Sequence, residues 1–450
     1  MNHHLLHARF ELGRSLLPLS AGLIPALLGC ARPAASAEAL SAEQILNGVD
    51  ARIEKHRKGD AVVRVVDASG KPVAGAAVRV EQTRHAFLFG SNIFKWGRCK
   101  TPEHERLYRQ RYAEVLNYAT LPYYWAWYER AKDQPGHPYR ERVARWCREN
   151  HIATKGHPLA WNCGDPPGLP DDPDQIMRLQ LARITDCVQH FRGLIDRWDV
   201  VNEATHFDRD TFKGRSPKLT RTWAHVGQIA FTRRCFAAAR AANPNAILLI
   251  NDYRTGPKYA ELIAKLVDDS GKRIYDVIGI QSHMHGRVWP TEKIWEVCER
   301  FARFGVPLHF TETTVVSGRM HKGKPWATTP EGEQLQARET VRFYTVLFSH
   351  PAVEAITWWD FSDQGAWKQA PAGWLRKDMT PKPVFNEMTK LIKDTWWTNL
   401  TGKTNPAGEL RFRGFKGQYR VNVTAPDGTK AEGTFNLSDK GKVAVRVGTR

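Results

Sequence analysis

Eight short apolar-rich runs, separated by longer stretches of helical character, constrain this chain more than any other feature. The runs are Phe87–Phe94, Asn117–Trp125, Thr154–Trp161, Arg197–Glu203, Ala246–Asp252, Val277–His283, Pro307–Thr313 and Ala355–Phe361. Near-continuous apolar runs of this length read as parallel strands buried on both faces. Between them, Pro138–Asn150, Gln175–Phe191 and Trp223–Ala242 are amphipathic. Eight strands with helical intervals predict an α/β fold, a (β/α)8 TIM barrel of about 250–300 residues. With 450 residues the chain has room for appendages as well.

Two of the runs carry a glutamate at or next to their last residue. Trp198-Asp199-Val200-Val201-Asn202-Glu203 and His309-Phe310-Thr311-Glu312 each close an apolar-rich run and end in polar residues and a glutamate. In a barrel of this kind those residues emerge at the carboxyl ends of the strands, the face where chemistry is done. Two glutamates presented from strands far apart in sequence suffice to hydrolyse a glycosidic bond. One protonates the leaving oxygen, and the other attacks the anomeric carbon or activates water. Either glutamate alone reads equally well as a solvated loop carboxylate; the two together, on this strand plan, favour the site.

The ends of the chain have a different grammar. Ala61–Asp67 and Ala77–Val80 flank a Gly70-Lys71-Pro72 turn, a β-hairpin pattern that suggests part of a small β-sandwich. Gln418–Val423 alternates as a strand should, Asp427-Gly428 is a tight-turn signal, and Val443-Ala444-Val445 is strand-like. The expected organisation is therefore a leader over 1–37, an N-terminal β segment over 45–85, the barrel over 86–395 and a C-terminal β segment over 396–450. Whether the two β segments form separate units or pack as one is open at this level.

Arg9 and Arg14 precede an apolar stretch from Leu16 to Leu28, too short for a mature membrane span and flanked like a secretory signal. Leu27-Leu28-Gly29-Cys30 resembles a lipobox that would leave Cys30 lipidated, while Ala35-Ser36-Ala37 offers ordinary cleavage. The expectation is export: secreted, periplasmic or anchored to the envelope, with membrane contact only through Cys30. Six further cysteines (Cys99, Cys147, Cys163, Cys187, Cys235, Cys298) contain no CxxC pair, which disfavours a metal-thiolate site. The net charge of +19 invites a nucleic-acid reading, yet the basic residues are scattered through helical segments and no nucleic-acid motif accompanies them. A solvated basic surface, or attraction to an acidic polysaccharide or anionic envelope, fits better. Sixteen tryptophans suit a carbohydrate cleft, since sugar rings stack on indole, and core packing accounts for some of them equally.

Six motifs in order make residues 85–395 resemble family 10 glycoside hydrolases, the retaining endo-β-1,4-xylanases. They are Lys155-Gly156-His157-Pro158-Leu159-Ala160-Trp161, Trp198–Glu203, Asn251-Asp252-Tyr253, Gln281-Ser282-His283, Thr311-Glu312, and the pair Trp359 and Trp367. The resemblance implies that Glu203 is the general acid and base and Glu312 the nucleophile, with carboxyls about 5–5.5 Å apart. It also implies that Asn202 donates to the sugar 2-hydroxyl and that His283 hydrogen-bonds Glu312. Gln281 and His157 would hold sugar hydroxyls, while Trp161, Trp359 and Trp367 wall the subsite of the cleaved residue. No metal or organic cofactor is called for, because two carboxylates suffice, and the expected partner is a polysaccharide, xylan by default. The family's second strand usually carries Thr-x-Glu-Asn-x-x-Lys-Trp. Here Thr120 and Trp127 remain, but Pro122, Tyr123 and Ala126 hold the Glu, Asn and Lys positions. Asn162 replaces a His, and Thr313-Thr314 replaces Leu-Asp. Losing three hydrogen-bonding groups puts ordinary xylan specificity in doubt. The alternatives are a glycan-binding barrel without turnover, a hydrolase for a different β-glycan, or a transglycosylase using Tyr123, Tyr124 and Trp125 to stack an acceptor.

Overall fold

The computed structural model describes residues 40–129, 136–319 and 326–448. The leader, with Cys30 and both cleavage patterns, lies outside the described residues. Two helices, Ala42–Asn47 and Val49–Arg57, come first, where β structure was expected from residue 45. Strands β1 (Lys58–Val66) and β2 (Ala77–His85) follow. The next seven are β3 (Leu88–Asn92), β4 (Tyr118–Pro122), β5 (Ala153–His157), β6 (Arg197–Asn202), β7 (Ile247–Asp252), β8 (Val277–Met284) and β9 (Leu308–Val315). After a two-residue pairing of β10 (Gly318–Arg319) with β11 (Ala327–Thr328) comes β12 (Val353–Asp360). The chain ends in β13 (Asn399–Lys403), β14 (Glu409–Phe415), β15 (Gly417–Thr424), β16 (Lys430–Leu437) and β17 (Lys440–Arg446).

Strands β3 to β9 and β12 close into a parallel barrel in the order β12-β3-β4-β5-β6-β7-β8-β9, with helices between strands, so the predicted TIM barrel is present. Each of the eight predicted runs overlaps one barrel strand. β7 shows why: Ile247-Leu248-Leu249-Ile250 is covered on one face by helices and on the other by the barrel interior, and five of the six β7 residues are fully buried. Helices start where the sequence supplies caps. Thr101 and Thr329, each followed by Pro-Glu, accept hydrogen bonds from the backbone N–H groups of His104 and Gly332. The amphipathic stretch at Trp223–Ala242 is not one helix. Gly227, at φ +86°, ends Pro217–Val226 and starts Gln228–Ala242.

The expected hairpin of residues 60–88 does not form. β1 pairs antiparallel with β14 and parallel with β17, while β2 lies in a second sheet ordered β13-β2-β15-β16. Only one bridge, Val66 to Pro72, links the ends of the intended pair. The alternation of Val63 and Val65 with polar residues asks for one buried face. Packing that face against Val78 and Val80 of the other sheet satisfies it as well as edge-to-edge pairing would. Both terminal β segments thus build one seven-stranded sandwich around Val63, Val65, Val78, Val80, Tyr419 and Val421.

Candidate active site

The carboxyl ends of the barrel strands open into a cleft of about 600 Å³. Glu203, Glu312, His157, Trp161, Gln281, His283, Trp359 and Trp367 line it, and Asn202 is buried beneath, 1% exposed. The nine residues singled out in the sequence therefore converge on one site.

Glu203 is the first residue after β6, and its backbone is left-handed, φ +57° and ψ +38°. A residue other than glycine adopts this region at a cost of about 1 kcal/mol or more. The turn is held by a 2.8 Å hydrogen bond from Glu203 N to Asn251 O. Gln281 Nε2 donates to Glu203 Oε1 at 3.2 Å and also to Asn202 Oδ1 at 3.2 Å. Gln281, expected to hold sugar hydroxyls, is thus engaged with the carboxyl itself. The other Glu203 oxygen forms an ion pair with Arg209. Arg209 lies over the Phe212 ring, 3.9 Å from its centroid.

Glu312, in β9, is equally enclosed, 4% exposed. Asn251 Nδ2 donates to its Oε1 at 2.9 Å and to Asn202 Oδ1 at 2.7 Å, and Thr311 Oγ1 donates to Asn251 Oδ1 at 2.6 Å. His283 Nε2 lies 3.0 Å from Glu312 Oε2, and its Nδ1 lies 3.0 Å from the Thr314 hydroxyl. Burial alone would raise the Glu312 carboxyl, but His157, His283 and Lys155 outweigh it and hold its pKa below the ordinary carboxylate value. An unbroken chain of hydrogen bonds therefore runs from Glu203 through Gln281, Asn202 and Asn251 to Glu312. Asn202 Nδ2 has no partner among the described residues.

Behind Glu312, Asp199 is fully buried between Lys155 Nζ at 2.6 Å and His157 Nδ1 at 2.7 Å. Its desolvation is more than offset by these two neighbours, and its pKa lies below the ordinary value. Lys155 and Asp199 stood inside the quoted motifs without a role. Arg209 was missed, since it sits in a turn with no periodicity, and only its position soon after Glu203 could have flagged it.

The second-strand substitutions divide in two. Tyr123 is fully buried, stacked on Tyr128 and edge-on to Trp198, and Trp125 packs on Leu169 and Ile176. Neither is placed to stack an acceptor sugar. Tyr124 does face the cleft, with ring centroids 5.5 Å from His157 and 5.7 Å from Trp161, and exposed Trp127 adjoins it. Asn162, in place of a histidine, donates to Phe207 O and Thr220 Oγ1 and so braces the segment after Glu203. All six described cysteines are free. Among the described residues, His137, Asp186 and Cys187 bring three ligand atoms within 4.8 Å of one another. They lie outside the cleft lining, and a 2.9 Å ion pair between His137 and Asp186 already joins two of them.

Comparison with known proteins follows the same outline. The model of the family described as Glycosyl hydrolase family 10 matches residues 92–391. An anti-sigma-I factor of Acetivibrio thermocellus is 27% identical over 403 residues, covering 88% of this chain and 49% of that protein. Endo-1,4-beta-xylanase 1 of Arabidopsis thaliana is 25% identical over 403 residues, covering 85% and 38%. Endo-1,4-beta-xylanase B of Thermotoga neapolitana is 26% identical over 270 residues, covering 56% and 73%. The chain thus spans half or less of the first two relatives. Among solved structures, native xylanase 10B of Thermotoga maritima superposes with a TM-score of 0.58 at 21% identity, covering 69% of this chain and 96% of that one. At that identity the likeness speaks for the barrel alone.

Proposed function

The chain belongs to glycosyl hydrolase family 10, and from that premise we propose that it is a retaining glycoside hydrolase acting on a β-1,4-linked, xylan-type polysaccharide. One observation carries the reading. Two enclosed glutamates, from β6 and β9, share a hydrogen-bond network in a cleft walled by tryptophans. Glu312, kept ionised by His157, His283 and Lys155, attacks the anomeric carbon and forms a glycosyl-enzyme intermediate. Glu203 protonates the departing oxygen and then takes a proton from the water that resolves the intermediate. Asn202 Nδ2, left without a protein partner, donates to the sugar 2-hydroxyl. Tyr124, Trp161, Trp359 and Trp367 offer ring faces and edges to the sugars. The leader motif supports export, with Cys30 as the anchor point.

The Arg209–Glu203 ion pair favours a second reading, a glycan-binding barrel without turnover. A guanidinium favours the ionised carboxylate, whereas a general acid must hold a proton when the leaving group departs. Reducing-sugar release on plain xylan, glucuronoxylan, arabinoxylan, mixed-linkage glucan and cellulose, with Glu312→Gln as the blank, decides between them. Release from a xylan supports the hydrolase. Glycan binding without release from any of the five supports the second reading.

A further inference from the structure

The end of β4 presents Pro122 and Tyr124 to the cleft, but its two neighbours on that side are polar. In the barrel β12 adjoins β3 and β3 adjoins β4, and the register places Asp360 opposite Asn92 and Asn92 opposite Thr120. β12 lies diametrically across the ring of eight strands from β6, which carries Glu203. If Glu203 serves the leaving group, the wall formed by β12 and β3 faces the other side of the cleaved bond.

Three side chains on that wall have no use in the mechanism. Asp360 is 9% exposed, and its Oδ2 accepts from Trp367 N at 3.0 Å. The carboxyl also takes a side-chain hydrogen bond from Asn92, and it lines the cleft. Asn92, 4% exposed, sits beside the carboxyl. Lys95 follows on the turn after β3 and lies against Gly365, where a Cβ would stand 2.5 Å from Nζ. Gly365, at φ +71°, thus leaves the space that the ammonium occupies. Among the described residues Lys95 makes no ion pair within 4.0 Å, so it and Asp360 do not neutralise each other directly. All three line the cleft, and a carboxyl with about four acceptor sites, an amide and an ammonium with three donors keep hydrogen-bonding capacity beyond these contacts.

We propose that Asp360, Asn92 and Lys95 form a sugar-binding subsite on the glycone side of the cleft, recognising vicinal hydroxyls of the pyranose next to the one being cleaved. A carboxyl takes two adjacent hydroxyls in bidentate fashion, while the ammonium and amide donate to hydroxyl or ring oxygens. Trp367, 43% exposed and tied to Asp360 through its backbone, borders this wall on the side of the cleaved sugar, its ring 4.6 Å from that of His283. A carboxylate, an amide and an ammonium are the groups missing from Pro122, Tyr123 and Ala126; here the neighbouring strands and their loops carry them. Burial raises Asp360 to about 7, so at mildly acid pH it donates as well as accepts.

The inference rests on the hydrolase reading and is tested separately from it. Initial rates of the wild type, Asp360→Ala, Asp360→Asn and Lys95→Met are measured on an aryl β-xylobioside and an aryl β-xyloside. The first fills two glycone positions and the second only one. The expected result is a 10- to 100-fold fall in kcat/KM on the xylobioside for Asp360→Ala and Lys95→Met, with a less than threefold change on the xyloside and partial recovery in Asp360→Asn. Equal losses on both substrates, or none on either, overturn the subsite. Should the wild type hydrolyse neither, the hydrolase reading fails, and calorimetric titration with xylotriose takes over. At least tenfold weaker binding by Asp360→Ala then supports the subsite, and unchanged or absent binding rejects it. Lys95→Met carries the test if Asp360→Ala does not fold, as judged by circular dichroism.

Discussion

Asp199 holds His157 by a 2.7 Å hydrogen bond at Nδ1, which leaves the ring's Nε2 facing Glu312 at 3.7 Å. Two buried carboxylates are thus kept apart by one imidazole, and Lys155 balances the deeper one. Asp199→Asn strands the Lys155 ammonium in the barrel interior, and breaking a buried pair in this way costs about 3–5 kcal/mol. The sign with pH follows from the lowered Asp199 pKa: its stabilisation is present above the ordinary carboxylate value and lost as pH falls through its folded value. Urea unfolding of both proteins at pH 7 and in acid should show a gap that narrows in acid. A constant gap speaks against the charge pair.

Glu203→Gln and Glu312→Gln should both remove turnover on polysaccharide without changing the fold, yet differ on activated substrates. General acid assistance is worth about 10²–10⁴-fold, and an aryl group that leaves readily does without it. Glu203→Gln should therefore keep a burst of phenol release from a dinitrophenyl glycoside, whereas Glu312→Gln should show none. Identical behaviour of the two variants on that substrate removes the assignment of roles.

Arg209→Met releases Glu203 from its cationic neighbour. The pair fixes where the carboxyl points, so its loss should lower kcat on xylan but leave phenol release from a dinitrophenyl glycoside, which needs no acid, little changed. Equal losses on both substrates mean that Arg209 acts on something other than Glu203.

Asp360 gives the opposite stability signature from Asp199. Burial raises it to about 7, so its contribution is full only below the ordinary value near 3.8 and is lost as pH rises through about 7. Asp360→Asn, which never ionises, should gain on the wild type by on the order of 3 kcal/mol at pH 8.5 relative to pH 4. Thermal melts at the two pH values measure this. An equal difference in melting temperature at both contradicts the buried acid.

Gly156 lies against the Trp198 indole, where a Cβ would come within 2.1 Å of the ring. Neither backbone can give way inside the closed barrel. Gly156→Ala should cost about 1–3 kcal/mol, measured as a lower urea midpoint at unchanged slope.

The sequence made the barrel legible because each strand states its burial locally. Ile247–Ile250 needs no distant information to read as a strand enclosed on both sides. The sandwich was harder for the converse reason. Val63 and Val65 declare one apolar face but not what covers it, and the partner strands β14 and β17 lie at the far end of the chain. At the site, Glu203 and Glu312 were readable as strand-end carboxylates. The Gln281 contact with Glu203 and the Arg209 ion pair were not, because side-chain direction at a strand end depends on turns such as the left-handed one at Glu203.

The parallel seam between β1 and β17 reaches into the life of the nascent chain. A ribosome must deliver residues up to 440–446 before β1 meets its last neighbour, and residues 353–360 before β3 meets β12. Until then β3 and β1 present unpaired edges to the crowded surroundings, the kind of edge that recruits strands from other chains. Slow delivery of this last stretch prolongs that exposure, and each strand that arrives closes one of the open edges.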